Sequence, residues 1–255
     1  MIVGAQIARV AHGNPDISIY DASCDGTWLL MKDIYAKYEW SYSEDDYQES
    51  FVHSYLNTTF VGSLDGSVQA AIKQVKIPHT TRFGSKGDQT GANGLSAKAF
   101  LLSVREITQN AVDSSEVVCP NDGACLSYFS GTASSSTDDP KRVAHYGGTA
   151  TNWWLRSPNT KYSDAEFFVT DSGRADGSGY FLENYGVRPA FIVPSNIAVI
   201  NGLVDGSEAS TEMVSVARKI KKGYIGIDGV ARKIKKAYIG DENGIARLVF
   251  DGEGG

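Results

Sequence analysis

The chain has 255 residues, of which 42% are hydrophobic, and it is therefore long enough and apolar enough to bury a core. Its 27 glycines and 11% aromatic residues favour short strands and many turns over a helical bundle. The net charge of −6 and the lack of any apolar run near about 18 residues argue against a basic nucleic-acid-binding domain and a membrane-spanning helix.

The first part of the chain predicts strands followed by helices. Ile2–Val10 alternates imperfectly and predicts a strand, and Trp28–Met31 is a continuous apolar run of strand length. From Asp46 the apolar residues follow helical spacing as far as Gly62, and Asp45 or Asp46 is expected to cap the helix. A second helix is predicted from about Gly66 to Lys76.

The middle of the chain has little periodicity. His79–Gly94 is expected to be a loop, and Leu95–Ile107 to be a strand that leads into a polar segment. Asp113–Val143 is long and rich in turn residues, and its tract Ser134–Pro140 is expected to protrude. Because long irregular insertions in compact domains are often functional, loops are the expected carriers of function.

Asn152–Val193 contains apolar ends around a polar middle. Trp153–Leu155 and Val187–Val193 are expected to be buried, with Phe167–Val169 as a short strand between them. Tyr, Ser, Asn and Gly are also the residues of antibody-like binding loops. This middle is therefore either a display surface or simply a solvated loop. The candidate ligand-binding residues are Asn159, Tyr162, Ser163, Asp164, Asp171, Arg174, Asp176, Ser178, Tyr180, Asn184 and Tyr185.

No motif for catalysis or cofactor binding is found in the sequence, and we predict neither an enzyme nor a cofactor. The four histidines are far apart in sequence, and Asp171–Gly177 resembles a calcium loop only faintly, so no metal site is assigned. Cys119 and Cys125 flank a Pro-Asn-Asp-Gly turn and could bridge a loop, but the three cysteines are expected to be reduced. Arg156 and Arg188 lie in apolar surroundings and are expected to find internal partners.

The C-terminal part contains an internal repeat. Val216–Gly226 recurs almost unchanged as Val230–Gly240, and Asp228-Gly229 and Asn243-Gly244 are hairpin turn signals. We therefore predict a main domain over residues 1–200, a linker over 201–214 and a β-hairpin repeat module over 215–255, through which the protein forms a homo-oligomer. The lysines of the repeat follow a strand period without an aromatic platform, which does not favour nucleic acid as a partner.

Several phrases together resemble the DUF6273-type domain of gut bacteria and their phages, which looks related to C-type-lectin-like folds, including the variable proteins of diversity-generating retroelements. They are Gly26–Met31 (GTWLLM), His53–Asn57 (HSYLN), Gly94–Lys98 (GLSAK), Trp153–Pro158 (WWLRSP) and Gly186–Phe191 (GVRPAF). The repeat resembles short repeats in phage tail and baseplate proteins of gut Firmicutes. Formylglycine-generating enzymes share the wider fold, but no matching cysteine pair is present in this region.

The resemblance implies an α+β, C-type-lectin-like domain with two helices, a small twisted antiparallel sheet and long loops. It implies a receptor-binding protein on a phage tail or an extracellular surface, made in a bacterial cytoplasm, whose displayed residues are varied by the retroelement. The expected partner is a host-surface protein or glycan, without membrane insertion. The alternative is a structural baseplate or virion assembly protein in which the repeat matters most.

Overall fold

The computed structural model describes residues 7–41, 46–81, 87–114, 117–162 and 164–195, and beyond them the backbone of strands between residues 198 and 251. The chain divides into two compact units, Met1–Val214 and Ser215–Gly255. No helix among the described residues is long and apolar enough to cross a membrane.

The described part of the first unit is a mixed α+β structure made mostly of short strands. Its strands are β1 (Ile7–Gly13), β2 (Gly26–Met31), β3 (Ala36–Glu39), β4 (Val75–Ile77), β5 (His79–Thr80), β6 (Asp88–Gln89), β7 (Leu95–Ala97), β8 (Ala99–Phe100), β9 (His145–Tyr146), β10 (Thr149–Ala150), β11 (Trp153–Pro158), β12 (Ala165–Val169), β13 (Ala175–Tyr180), β14 (Asn184–Val187), β15 (Ala190–Val193), β16 (Ala198–Ile200) and β17 (Met213–Ser215). The helical segments are α1 (Phe51–Tyr55), a π-helical turn (Leu56–Phe60), α2 (Val61–Ser63) and α3 (Gly66–Ala71).

Two sheets organise this unit. The first has four strands in the order β1-β2-β15-β8, and all of its pairs are antiparallel. The second has five strands in the order β13-β12-β11-β14-β3, in which only the β11–β14 pair is parallel. The other described sheets of the unit are two-stranded. Because β14 and β15 are separated by two residues, the chain passes directly from the second sheet into the first.

The predicted buried segments form the core. All six residues of β2 are buried, and the Trp28 ring meets Tyr20 and Phe100 edge-to-face at 5.2 and 5.4 Å. β11, β12 and β15 are buried along their whole lengths, which confirms the predicted apolar ends and the predicted central strand. The first predicted strand is found as β1, which continues past Val10 to Gly13; residues 1–6 lie outside the described residues.

The first predicted helix is shorter and less regular than expected. A 3-10 turn at Tyr47–Glu49 follows Asp46, which occupies the expected N-cap position but makes no capping hydrogen bond with its side chain. α1 begins after Ser50, whose hydroxyl accepts a hydrogen bond from the His53 amide at 3.1 Å. The π-helical turn that follows carries Asn57, whose side chain bonds the Lys98 amide at 2.8 Å and the Ala99 carbonyl at 2.9 Å. This link joins the helix to β8. The second predicted helix ends at Ala71 because β4 begins at Val75.

The middle of the chain differs from prediction in two places. The expected loop His79–Gly94 contains the short strands β5 and β6, and the expected strand Leu95–Ile107 is limited to β7 and β8. Ser134–Pro140 is exposed at residues 136–138 and 140, but it is fastened at the Ser134 and Thr137 carbonyls, which accept hydrogen bonds from the buried Arg142 guanidinium. The described part of 113–143 is otherwise irregular, as predicted, with 3-10 turns at Ser127–Phe129 and Pro140–Arg142.

The second unit contains two described antiparallel pairs. β18 (Gly223–Ile227) pairs with β19 (Val230–Ile234), and β20 (Lys236–Gly240) pairs with β21 (Ala246–Asp251). Ile227 lies opposite Val230, which leaves two residues between these paired strands. The residues of both predicted hairpin turns lie outside the described residues.

Candidate functional site

The edge strand β13 presents three of the predicted ligand-binding residues on one side. Burial alternates along the strand: Ala175, Gly177 and Gly179 are buried, whereas Asp176 is half-buried and Ser178 and Tyr180 are exposed. This is the two-residue period of a half-buried strand. This alternation could not be predicted from the sequence, because the inward residues are alanine and glycine and the hydrophobicity of the strand therefore does not alternate.

Small inward residues let β13 lie close over large rings. A Cβ added at Gly179 would be 2.7 Å from the Trp154 ring, 2.8 Å from the Phe168 ring and 2.9 Å from the Glu166 carbonyl oxygen. At Gly177 it would be 3.1 Å from the Phe167 ring. Close contact between the edge strand and the buried aromatic residues therefore fixes the backbone that carries Ser178 and Tyr180.

We expect Gly179→Ala to lower the free energy of unfolding by about 1–3 kcal/mol, because rigid rings and a backbone oxygen must move to admit the methyl group. Gly62→Ala is the matched control, since a Cβ there has nothing within 4 Å and the residue lies in α2. The control should be neutral or stabilising by up to about 1 kcal/mol. Urea denaturation measures both variants, and equal effects would contradict the close-packing argument.

A groove of about 290 Å³ lies beside β13. Five predicted residues line it: Asn159 at its bottom, Tyr162 and Asp164 from the loop before β12, and Ser178 and Tyr180 from β13. Tyr162 and Tyr180 are 39% and 43% exposed, so both rings offer apolar area to a ligand. The remaining lining residues are Val117, Ala165 and Gly177. We call this the β13 groove.

Asn159 was expected on the surface, and this prediction is wrong. The residue is 1% exposed, and its amide nitrogen donates to the Gly177 carbonyl at 2.9 Å while its side-chain oxygen accepts from the Lys161 amide at 3.0 Å. The polar side chain is buried because local and distant backbone groups both satisfy it. Asn159 thus holds the loop against β13 at the bottom of the β13 groove.

The other predicted residues do not line the β13 groove. Asp171 and Arg174 are exposed in the turn between β12 and β13, and Ser163 lies outside the described residues. Tyr185 is half-buried, with its ring 4.6 Å from Trp154 and 4.7 Å from Phe168, and burial raises its pKa. It is therefore partly a core residue. Asn184 lines a different groove.

The segment with a faint resemblance to a calcium loop is occupied by internal contacts. Asp176 accepts hydrogen bonds from the backbone and hydroxyl of Ser178 at 3.0 and 2.6 Å and forms an ion pair with Arg174 at 3.0 Å. Among the described residues, no cluster of three or more His, Cys, Asp or Glu could hold a metal ion. The contacts of Asp176 therefore stabilise the local conformation of β13.

Two buried arginines hold the frame behind this surface. Arg156 on β11 forms an ion pair with Glu106 through two hydrogen bonds of 2.6 and 2.7 Å, and both side chains are 0% exposed. Arg188 donates to the Met31 carbonyl at 2.9 Å, and its guanidinium lies 5.0 Å from the Trp153 ring centroid. The expectation that these two arginines find internal partners is confirmed.

Arg142 is a third buried arginine, and its burial was not predicted from the sequence. It donates to the carbonyls of Ala133, Ser134, Thr137 and Gly173, the last at 2.6 Å. Ser172 also donates to Asp138 at 2.9 Å. These bonds fasten the irregular segment to the turn before β13. A basic residue beside two acidic residues and a proline gave no signal of burial.

A second and larger groove of about 560 Å³ lies at the opposite edge of the five-stranded sheet. It is lined by Lys37, Tyr38, Glu39, Phe51, Ser54, Tyr55, Thr58, Thr59 and Asn184. Phe51 and Tyr55 belong to the apolar residues at helical spacing before Gly62, which predicts a buried face, but both are only half-buried. We call this the β3 groove.

The cysteines are free, as predicted. Cys24 and Cys119 are buried and Cys125 is half-buried. Burial raises the pKa of Cys24 and of Cys119 to about 12, which disfavours the reactive thiolate form.

Comparison with curated proteins and with solved structures finds no match to this chain. A family model described as "Domain of unknown function (DUF6273)" matches residues 25–195, a range that includes both major sheets apart from β1 and also includes both grooves. The chain therefore belongs to the DUF6273 family.

Proposed function

We propose that the protein is a non-enzymatic receptor-binding protein that uses the β13 groove and its surroundings to recognise a host-surface protein or glycan. One observation carries the proposal: Tyr162, Asp164, Ser178 and Tyr180 come from two separate segments and line one groove. Exposed tyrosines supply rigid contact area, and the short polar side chains supply adaptable hydrogen bonds.

The frame behind the groove supports this proposal. β11 and β12 are fully buried, and the glycines of β13 let this strand lie close to the aromatic rings of β11 and β12. Side chains that point outward from such a frame can change without loss of core contacts. That property suits residues diversified by a retroelement, as the resemblance to C-type-lectin-like variable proteins implies. The proposed setting is a phage tail or an extracellular surface, with the C-terminal repeat forming the oligomer.

We expect the triple variant Tyr162→Ala, Ser178→Ala, Tyr180→Ala to keep its thermal midpoint within about 3 °C of the parent, because these exposed side chains contribute little to the core. The matched control is Asn159→Ala, which should cost about 1–3 kcal/mol by leaving the buried Gly177 carbonyl without its donor. Differential scanning calorimetry of the full chain measures both. A triple variant that melts far below the control would identify the tyrosines as core residues.

Binding is tested with a display library in which Tyr162, Asp164, Ser178 and Tyr180 are randomised together. Selection against several unrelated purified proteins should yield folded, target-specific binders if this surface is a recognition site. A control library at four exposed positions outside both grooves, Arg9, Ile17, Ser18 and Lys141, should yield none. Equal recovery from both libraries would contradict a specialised surface.

Retroelement diversification has its own test in the neighbouring DNA. The proposal expects a near-copy of the segment encoding Asn152–Val193, differing mainly at adenines and lying beside a reverse transcriptase gene. A genome that contains the coding sequence without such a copy would remove this part of the proposal and leave the binding surface to the library experiment.

The alternative function, a structural assembly protein, is favoured by the tandem repeat and by the paired strands within 215–255. Deletion of 215–255 distinguishes the two. A monomer that still binds cells supports receptor binding, whereas loss of particle assembly without any cell-binding defect supports the structural function.

A further inference from the structure

We infer that the β3 groove is a second binding site, separate from the β13 groove, and that its ligand is a neutral oligosaccharide. The two grooves lie at opposite edges of the five-stranded sheet, whose order begins with β13 and ends with β3. The volume of about 560 Å³ falls within the roughly 300–1,000 Å³ range of small-molecule sites.

An exposed and immobilised aromatic ring lies in this groove. Tyr38 is 38% exposed and stacks on Tyr55, with ring centroids 4.7 Å apart and planes 30° apart. Tyr55 also contacts Tyr35, which is fixed by an edge-to-face contact with Phe60 at 5.0 Å and by a hydrogen bond to Ser63 at 3.0 Å. The Tyr38 ring is therefore positioned before any ligand arrives.

The backbone behind Tyr38 is held as firmly as its ring. The Tyr38 carbonyl accepts a hydrogen bond from the buried Trp154 indole at 2.9 Å, and β3 pairs with β14 over four residues. A rigid aromatic face suits the flat C–H face of a pyranose ring, which packs against aromatic rings through dispersion and the ring quadrupole.

The polar lining offers both hydrogen-bond donors and acceptors. Lys37, Glu39, Ser54, Thr59 and Asn184 also line the groove, and their side chains make no hydrogen bond to another described residue. Asn184 lies directly opposite Glu39 across the β14–β3 pair. Amide, carboxylate, ammonium and hydroxyl groups can together bind the adjacent hydroxyls of a sugar, each of which both donates and accepts.

The charge of the lining selects against charged ligands. Lys37 and Glu39 are the only lysine, arginine, aspartate, glutamate or histidine side chains among the lining residues, and their charges offset each other. A phosphate or polyanion would be attracted by Lys37 and repelled by Glu39, and a cationic peptide would be attracted by Glu39 and repelled by Lys37. A neutral ligand rich in hydroxyl groups fits both the charge balance and the exposed ring.

Isothermal titration of the full chain with four neutral oligosaccharide series, derived from cellulose, xylan, amylose and chitin, tests the inference. We expect at least one series to bind, and Tyr38→Ala to weaken that binding at least tenfold, equivalent to about 1.4 kcal/mol. Asn184→Ala should weaken it less, whereas Tyr38→Phe, which keeps the ring, should bind within about threefold of the parent. Ile17→Ala is the control, because this residue is 87% exposed in a turn outside both grooves, and it should bind like the parent.

Three results would overturn the inference: no binding of any series at millimolar concentration, binding that Tyr38→Ala leaves unchanged, or binding that is lost in Tyr180→Ala and retained in Tyr38→Ala. The last result would place the sugar in the β13 groove. Selection of protein binders from the Tyr162, Asp164, Ser178 and Tyr180 library does not depend on Tyr38. The two proposals therefore fail independently.

Discussion

Arg156→Met is expected to lower the free energy of unfolding by about 3–5 kcal/mol, the largest effect of any single substitution considered for this protein. The guanidinium forms a two-bond ion pair with Glu106 and donates to the carbonyls of Pro78, Leu101 and Asp122 at 2.7–2.8 Å. Burial lowers the pKa of Arg156, but the Glu106 carboxylate outweighs this effect and raises it above the usual range.

The loss is large because methionine leaves a buried carboxylate without its cation. Glu106 would retain hydrogen bonds from the Tyr20 hydroxyl at 2.7 Å and the Ser103 amide at 2.9 Å, which do not offset the desolvation of its charge. Adding Glu106→Gln to the Arg156→Met variant should therefore recover part of the lost stability.

Arg174→Met is the matched control, because Arg174 forms an ion pair at a similar distance, 3.0 Å from Asp176, with half of its side chain exposed. Solvent screening limits its effect to less than about 1 kcal/mol. Guanidinium denaturation of the parent and the three variants supplies the comparison. If Arg156→Met costs no more than Arg174→Met, the ion pair does not hold the frame.

Local hydrophobicity was enough to identify the frame. Trp28, Trp153 and Leu155 lie in apolar runs, for which the hydrophobic effect clearly predicts burial. In the structure they belong to β2 and β11 and have no exposed surface. The isolated arginine in the second run was equally informative, because a charge among apolar residues must have internal partners. Burial that follows from residue type alone was therefore predictable.

Features that depend on distant partners were not predictable. Asn159 is buried because the Gly177 carbonyl, 18 positions away, accepts its amide, and Arg142 is buried because carbonyls from two segments converge on it. A single sequence contains no signal that predicts either of these long-range contacts. The outward alternation of β13 was hidden for a different reason: glycine at 177 and 179 removes the hydrophobic half of the pattern.

The candidate site likewise has one part that the sequence predicted and one part that it did not. Composition pointed to the tyrosines at 162 and 180, which line one groove with Asp164 and Ser178. It gave no indication of the β3 groove, which combines a helix face with two strands that are about 145 residues apart in sequence. Helical periodicity even favoured burial of Tyr55, because spacing identifies the face of a helix but not how completely a neighbouring strand covers it.

The second large effect concerns pH and the buried carboxyl of Asp122. This side chain is 0% exposed; one of its oxygens accepts a hydrogen bond from Ser157 at 2.8 Å, and the other has no hydrogen-bond partner among the described residues. Burial raises the pKa of Asp122 to about 7, although Arg156 and the Ser157 hydroxyl act in the opposite direction. The fold therefore favours the protonated carboxyl.

The sign of the effect follows from linkage. A carboxyl whose pKa is higher in the folded than in the unfolded chain contributes its full stability below the unfolded value of about 3.9. That contribution falls as pH rises and is lost by the time pH passes the folded value of about 7. Since a tenfold change in a protonation equilibrium is worth about 1.4 kcal/mol, ionisation of Asp122 costs the fold about 3–4 kcal/mol at pH 8.

Asp122→Asn removes this cost, because the amide cannot ionise and its oxygen can still accept from Ser157. We expect the variant to match the parent within about 1 kcal/mol at pH 4.5 and to exceed it by about 3 kcal/mol at pH 8. Urea denaturation of both proteins from pH 4.5 to pH 8 isolates the contribution of Asp122 to the free energy of unfolding, since the variant and the parent share every other titrating group. Asp171→Asn, at an exposed position in the turn before β13, should follow the parent at every pH. A stability difference between Asp122→Asn and the parent that stays constant across this range would show that Asp122 is already ionised in the folded protein, with Arg156 rather than burial controlling its charge.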